Sequence, residues 1–271
     1  MKTALITGAT DGIGRSTAIS LAKKGYQIHV LGLGKEKGQE VIATLNKINP
    51  KGNHELFIVD LSTLEGNRKF LDTYKENYKG LDLLILNANA MFKKPRLSKD
   101  GMDMGFTIGF FSRYMFSVML DDLLKERSGR VLHIGGATLI KPIKFDKLKS
   151  PDYKGSDTTY MGFMANNLMV NYVNQDKLTD IPYEYMEPGI VNTNTVKSQN
   201  VMVRLISKMM GMIEPEESGE RIASYIINSQ ASPGSFYILG KKKEPKDKVK
   251  NGRTVYKKLM TYAYDFTGLK F

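Results

Sequence analysis

The segment from Thr7 to Gly14 constrains the fold of this chain more than any other part of its sequence. It reads Thr-Gly-Ala-Thr-Asp-Gly-Ile-Gly, with the apolar run 4–6 directly before it and an apolar-periodic segment, 15–24, directly after it. This order predicts a strand, a glycine turn and a helix, in which glycine lets the backbone turn sharply and approach a bulky anion. The N–H groups and dipole of the helix N-terminus would point at the loop, so we predict a pyrophosphate-binding site.

Strands and helices alternate along the rest of the chain, which predicts a doubly wound parallel sheet with helices on both faces, an α/β Rossmann fold. The predicted strands are Thr3 to Thr7, Gln27 to Leu31, Leu56 to Asp60, Leu81 to Asn87, Arg130 to Ile134, Ile181 to Met186 and Ser235 to Leu239. The predicted helices are Arg15 to Lys24, Glu36 to Asn46, Leu64 to Tyr78, Gly101 to Arg127, Thr159 to Leu178 and Glu214 to Gln230. We expect one domain over residues 1–240, followed by a helical extension over 241–271.

Composition excludes several classes of site. The 271 residues include no cysteine, which rules out disulfides, thiolate metal ligands and a cysteine nucleophile, and the three histidines are too scattered to suggest a metal centre. No apolar run approaches the roughly 18 residues of a membrane span, and a strand from residue 3 leaves no room for a signal peptide, so we expect a cytoplasmic protein. The formal charge is +12, and residues 241–271 carry ten Lys or Arg against three acids. We expect a solvated basic extension, with weak membrane association as an alternative and no nucleic-acid binding.

Five landmarks occur in order along the chain: the glycine loop at residues 7–14, Asp60-Leu61 after the third strand, Asn87-Ala88-Asn89 after the fourth, Tyr160 at the start of a helix, and the segment from Pro188 to Thr193. Together they resemble the short-chain dehydrogenase/reductase family. The long loop between the fifth strand and Tyr160 and the basic C-terminal helix look most like the family's retinol-dehydrogenase-like branch. Asn89 stands where the family has glycine, and asparagine tolerates a positive φ better than other residues.

The resemblance implies a bound nicotinamide dinucleotide. Its contacts would come from Gly8, Thr10, Asp11, Gly12, Ile13, Gly14, Leu33, Asp60, Leu61, Asn87, Ala88, Pro188, Gly189, Ile190 and Thr193. Where the family selects between NAD and NADP, after the second strand, this chain has Gly-Leu-Gly-Lys at 32–35. No acid is present to bind a ribose diol and Lys35 could reach a 2′-phosphate, whereas Asp11 would repel one. The balance favours NADP slightly, with NAD as the alternative.

Three of the family's four catalytic positions are replaced. The resemblance implies a proton-exchanging Tyr160, but the lysine position one helical turn later is Met164, the serine position is Gly136, and the asparagine position is Gly109. A phenol without a cation beside it is almost wholly protonated at neutral pH, so Tyr160 would be a poor base but a good hydrogen-bond donor. Thr138 could supply a hydroxyl near the missing serine.

These departures leave three functions open. The first is an NAD(P)(H)-dependent oxidoreductase with a rebuilt site; the second is a non-redox isomerase, dehydratase or cyclase; the third is a silent subunit paired with an active homologue. A lipophilic small substrate is predicted from methionines near the site, with core packing as the alternative: Met161, Met164, Met169, Met202, Met209, Met210 and Met212. The segment 192–213 would cover that substrate, and we expect a homodimer or homotetramer.

Overall fold

The computed structural model describes residues 1–136, 140–150, 152–193, 211–238, 241–243 and 251–271. Its strands are β1 Thr3–Thr7, β2 Gln27–Gly32, β3 Glu55–Ile58, β4 Leu83–Leu86, β5 Arg130–Ile134, β6 Tyr183–Glu187, β7 Ser235–Ile238 and β8 Lys241–Lys243. They form one sheet in the order β3-β2-β1-β4-β5-β6-β7-β8, parallel except for the β7–β8 pair. The sequence alternation therefore predicted the parallel sheet correctly, because continuous apolar runs such as Leu83–Leu86 are what a strand covered on both faces requires.

Helices cover both faces of this sheet. They are α1 Gly12–Lys23, α2 Lys35–Ile48, α3 Leu64–Asn77, α4 Met104–Phe106, α5 Ser112–Met119, α6 Asp121–Glu126, α7 Asp157–Val173, α8 Pro215–Asn228 and α9 Gly252–Thr267. One buried apolar cluster contains residues of α1, α2 and α8, and a second contains residues of α3, α5, α7 and α9. The doubly wound arrangement follows, and it places every β-to-α turn at the carboxyl edge of the sheet.

The predicted helix from Gly101 to Arg127 is wrong as a single element. Gly101 has a left-handed φ of +71°, and helical structure starts only after Asp103, whose side chain accepts a hydrogen bond from the Phe106 N–H at 2.8 Å. The chain then widens into a π-helical turn, Thr107–Phe111, and breaks again at Leu120 between α5 and α6. The helix predicted to run to Leu178 also ends early, at Val173.

Helix α9 of the C-terminal segment packs on the domain. Its apolar residues recur at helical spacing and face the core: Leu259 is fully buried, and the centroid of the Phe266 ring lies 4.6 Å from that of Phe111. β8 was not predicted, because its three lysines carry no apolar pattern; all three are exposed at the sheet edge, where charge opposes pairing with another chain. No helix in the described parts of the chain is long and apolar enough to cross a membrane.

Candidate functional site

The glycine loop joins β1 to α1 in a conformation that other residues would not adopt easily. Gly8 and Gly12 have φ values of +67° and +53°, in the left-handed region. A Cβ on Gly14 would lie 2.3 Å from the Gly8 carbonyl oxygen, so helix and loop approach too closely for any side chain there. The Asn87 amide donates to the carbonyls of Thr7 and Gly8 at 3.1 and 3.2 Å. Asn87 therefore fixes the loop itself, a role that the sequence did not indicate.

A cleft of about 330 Å³ opens above the N-terminus of α1. It brings together eight of the predicted cofactor residues and Asn89: Gly8, Thr10, Asp11, Gly12, Ile13, Asn87, Ala88, Asn89 and Thr193. A Cβ on Gly12 would meet Thr193 Cγ2 at 3.3 Å, so a larger residue would project into the space between the helix N-terminus and Thr193. That space and the helix N-terminus fit a pyrophosphate.

The remaining predicted cofactor residues follow β2, β3 and β6 at the carboxyl edge of the sheet. Leu33 is 68% exposed, Leu61 is buried, and the Asp60 carboxylate is held by the Ser62 N–H and hydroxyl at 2.9 and 2.7 Å. Pro188, Gly189 and Ile190 follow β6 and lead to Thr193. Residues 194–210, which include most of the predicted covering segment, lie outside the described residues, as does Thr138.

Lys37 changes the electrostatics predicted for the loop. Its ammonium lies 2.6 Å from Asp11 Oδ2, and Asp11 Oδ1 accepts a hydrogen bond from the Gly12 N–H at 2.8 Å. A carboxylate at a helix N-terminus would repel a phosphate, and this lysine opposes that repulsion. The sequence pointed to Lys35 and gave no signal for Lys37, because the pairing with Asp11 depends on how α2 packs beside the loop.

Tyr160 lies in the first turn of α7 and is partly exposed. Lys141, from the loop after β5, places its ammonium 5.7 Å from the Tyr160 ring centroid, and its backbone N–H donates to the Tyr160 carbonyl at 3.2 Å. The same ammonium pairs with Asp157 at 2.6 Å. A cation thus stands beside the tyrosine although Met164 is apolar and 4% exposed, but it lies against the ring and its charge is balanced by Asp157.

An aromatic ring fills the space beside Gly136, which the family resemblance gives as the serine position. A Cβ on Gly136 would lie 3.1 and 3.2 Å from two ring carbons of Phe163, which is tighter than ordinary van der Waals contact. Phe163 is partly exposed and its ring centroid lies 6.3 Å from that of Tyr160. A side chain at 136 and the ring at 163 would therefore compete for the same space. The sequence signal for this was an aromatic residue between Tyr160 and Met164.

The missing asparagine position, Gly109, lies inside the π-helical turn. Its carbonyl accepts a hydrogen bond from the Asn166 amide at 2.7 Å, and Asn166 Oδ1 bonds His133 Nδ1 at 3.1 Å. Burial, reinforced by the charge of Arg113, holds the pKa of His133 well below its ordinary value, so the ring is neutral and is the donor to this oxygen. His133 is therefore part of the structural support of the turn and takes no role as a base.

Arg113 is fully buried beneath the site. Its guanidinium donates to the carbonyls of Ile134 and Ala88 at 2.9 and 3.0 Å, and so ties together the carboxyl ends of β4 and β5. Burial lowers the pKa of Arg113 to about 10, which leaves it charged at neutral pH. Arg113 was not predicted as part of the site, although a single charge within the largely apolar run Phe110 to Phe116 is a sequence signal for it.

The comparisons with known proteins agree with this geometry. A model of the short chain dehydrogenase family matches residues 2–203. The chain therefore belongs to the short-chain dehydrogenase/reductase family, and this membership supports an oxidoreductase with a Rossmann fold.

Two relatives show how far the likeness extends. Polyprenol dehydrogenase from Homo sapiens is 25% identical over 99% of this chain and 86% of that protein. Dehydrogenase/reductase SDR family member 12 from Bos taurus is 29% identical over 71% of this chain and 62% of that protein.

Solved structures share the fold at lower identity. An uncharacterized protein from Mycobacterium Paratuberculosis has a TM-score of 0.77 at 20% identity, covering 100% of this chain and 95% of that one. An alcohol dehydrogenase from the archaeon Thermococcus sibiricus, complexed with 5-hydroxy-NADP, has a TM-score of 0.67 at 19% identity, covering 92% of this chain and 100% of that one.

Proposed function

We propose that this chain is an NAD(P)(H)-dependent oxidoreductase that acts on a lipophilic alcohol or carbonyl compound through a rebuilt site around Tyr160. The observation that carries the proposal is the cleft at the N-terminus of α1, where Gly12 faces Thr193 across the space that a pyrophosphate requires. Membership of the short-chain dehydrogenase/reductase family supports the reaction class, oxidoreduction. The catalytic positions are near the cleft: a Cβ on Gly109 would lie 3.5 Å from Asn89 Oδ1, and a Cβ on Gly162 would lie 3.7 Å from the Gly109 carbonyl group.

The dinucleotide would be held along the carboxyl edge of the sheet. The N–H groups of the loop and of the α1 N-terminus would bind the pyrophosphate, Asp60 and Leu61 would flank the adenine, and the segment from Pro188 to Thr193 would lie along the nicotinamide. Once bound there, the nicotinamide supplies a hydride donor or acceptor. Lys37, beside Asp11, supports the slight preference for NADP.

Tyr160 would act as a hydrogen-bond donor. A neutral phenol directed at the substrate oxygen stabilises the negative charge that develops there during carbonyl reduction. Glycine at 136 offers no serine hydroxyl to orient the substrate, and the Phe163 ring lies beside this position instead. Orientation would then come from shape and apolar contact, which suits a substrate with few polar groups.

The apolar character of the substrate is supported by Phe163 and by a relative named polyprenol dehydrogenase. The methionines give no such support. Met161, Met164 and Met169 are all at least 96% buried and belong to the core cluster, so the packing alternative holds for them. Met212 is partly exposed, and Met202, Met209 and Met210 lie outside the described residues.

Calorimetry with NADPH and NADH tests dinucleotide binding. The Gly12→Glu variant, which places bulk and charge between the helix N-terminus and Thr193, should lose the signal. The matched control is Asn77→Glu, which adds the same charge at the exposed end of α3, at the opposite edge of the sheet. Equal binding by wild type and Gly12→Glu would show that the dinucleotide does not bind in this cleft.

Turnover tests the chemistry. Long-chain prenols with NADP⁺ or NAD⁺, and the corresponding aldehydes with the reduced cofactors, should react in the presence of wild type and much more slowly with Tyr160→Phe. Dinucleotide binding without turnover of any member of this panel would favour the non-redox or silent-subunit alternatives. The homodimeric or homotetrameric state and the cytoplasmic location stay predictions, and light scattering tests the first.

A further inference from the structure

Asn89 and Gly109 have exchanged the residue types that the family resemblance leads one to expect at these two positions. The resemblance implies glycine at the first and asparagine at the second, and this sequence has the reverse. In the structure the two positions are neighbours: a Cβ on Gly109 would lie 3.5 Å from Asn89 Oδ1, in ordinary van der Waals contact. A longer side chain at 109 would therefore start beside the Asn89 amide.

The conformation of Asn89 shows that it is not simply a tolerated substitute for glycine. Its φ does not lie in the left-handed region, so the sequence expectation that asparagine is there to tolerate positive φ is wrong. Its Oδ1 accepts a hydrogen bond from the Ala90 N–H at 2.8 Å, which fixes the orientation of the amide. The Nδ2 group has no hydrogen-bond partner among the described residues, and the side chain is exposed and lines the cleft.

We propose that Asn89 is a positioning residue whose Nδ2 donates a hydrogen bond to the nicotinamide-side ribose of the bound dinucleotide, in place of the cation lost at Met164. This inference rests on the proposed function, because it requires a dinucleotide in the cleft. An oriented amide donor at the wall of the cleft suits a ribose hydroxyl, an uncharged acceptor. The family resemblance implies a lysine at position 164 that holds this ribose, and Met164 is buried and apolar and offers it no donor.

A comparison of NADPH binding with ADP binding separates a hydrogen bond to the ribose from a structural role of Asn89. Asn89→Ala should weaken NADPH binding about ten-fold, the value expected for one lost hydrogen bond. Binding of ADP, which lacks the nicotinamide-side ribose, should stay unchanged. Asn77→Ala, an exposed asparagine at the end of α3, is the matched control and should change neither affinity.

A second pair of variants tests the shared space. Gly109→Asn should weaken NADPH binding in the wild-type background by displacing the Asn89 amide, and should weaken it less in the Asn89→Ala background, where that amide is already absent. Unchanged NADPH binding by Asn89→Ala, in a protein whose wild type binds NADPH, would overturn the inference and leave the proposed function standing. If Asn89→Ala weakens the binding of NADPH and ADP equally, the inference is also overturned, because Asn89 would then only support the loop. If the wild-type protein binds no dinucleotide, both this inference and the proposed function are wrong.

Discussion

Placing a serine at position 136 should destabilise this protein, although serine is what the family has there. The φ of Gly136 is not in the left-handed region, so the backbone accepts a side chain without strain. The cost comes from Phe163, whose ring carbons lie 3.1 and 3.2 Å from the new Cβ, a few tenths of an ångström inside ordinary contact. Because the ring is only partly buried it can shift, and we expect Gly136→Ser to cost about 1–2 kcal/mol, in the lower part of the range for overpacking.

Truncating the ring should remove that cost. Phe163→Ala alone loses a partly buried aromatic side chain and should cost about 1–2 kcal/mol, below the range for a fully buried one. With the ring absent, Gly136→Ser should add almost nothing, so the coupling free energy between the two changes should be about 1–2 kcal/mol. Gly34→Ser is the matched control, since the nearest atom to a Cβ at that position is Lys37 Cβ at 3.9 Å. Its effect should simply add to that of Phe163→Ala.

Urea denaturation followed by far-ultraviolet circular dichroism measures these free energies, provided that the m value is the same in all variants. If Gly136→Ser is as stable as wild type, or if its cost is unchanged in the Phe163→Ala background, the ring does not occupy the serine space and this account of the site is wrong. The contact between position 136 and the Phe163 ring should also limit any gain of reductase activity. Met164→Lys with Gly136→Ser should raise reduction of simple ketones only when Phe163→Ala is also present.

Two further predictions concern charge. Lys37→Glu should weaken NADPH binding more than ten-fold and NADH binding less, because a second carboxylate beside Asp11 repels the 2′-phosphate; Lys47→Glu, on the exposed end of the same helix, should change neither affinity in calorimetry. Burial lowers the pKa of His29 from 6.5 to about 4, so between these pH values the unfolded chain binds a proton that the folded one does not, and stability falls as pH falls. The free energy of unfolding, measured by urea denaturation, should fall between pH 7 and pH 5 by about 2 kcal/mol less in His29→Gln than in wild type. An equal fall in both proteins would refute this role of His29.

The sequence predicted seven of the eight strands that the structure describes, the glycine loop and the fold because each depends on residues that are neighbours in the chain. Apolar runs such as that before Thr7 define strands buried on both faces, and Gly8, Gly12 and Gly14 have few conformational alternatives. The predicted helix through Gly109 failed for a physical reason. An apolar periodicity does not distinguish a continuous α-helix from one that widens into a π turn, since both bury the same face.

The parts of the candidate site that could not be predicted all depend on contacts between distant residues. Lys37 reaches Asp11 across the β1–β2 crossover, and Lys141 reaches Tyr160 from a loop that begins before the helix. Asn89 lies twenty positions from the glycine whose space it shares. Only the packing of α2, α5 and α7 around the sheet sets these pairs, and a single sequence carries no signal for it.

The pairing of these replacements separates a rebuilt site from a decayed one. Loss of function alone would remove side chains independently, leaving holes or unsatisfied groups where they had been. Here the space at Gly136 is filled by Phe163, and the side-chain space at Gly109 is occupied from Asn89. The Gly109 carbonyl is also satisfied, by the Asn166 amide. Two of the three replaced positions therefore have a close neighbour on another element, and such packing favours a site maintained for a different substrate over one that has lost its use.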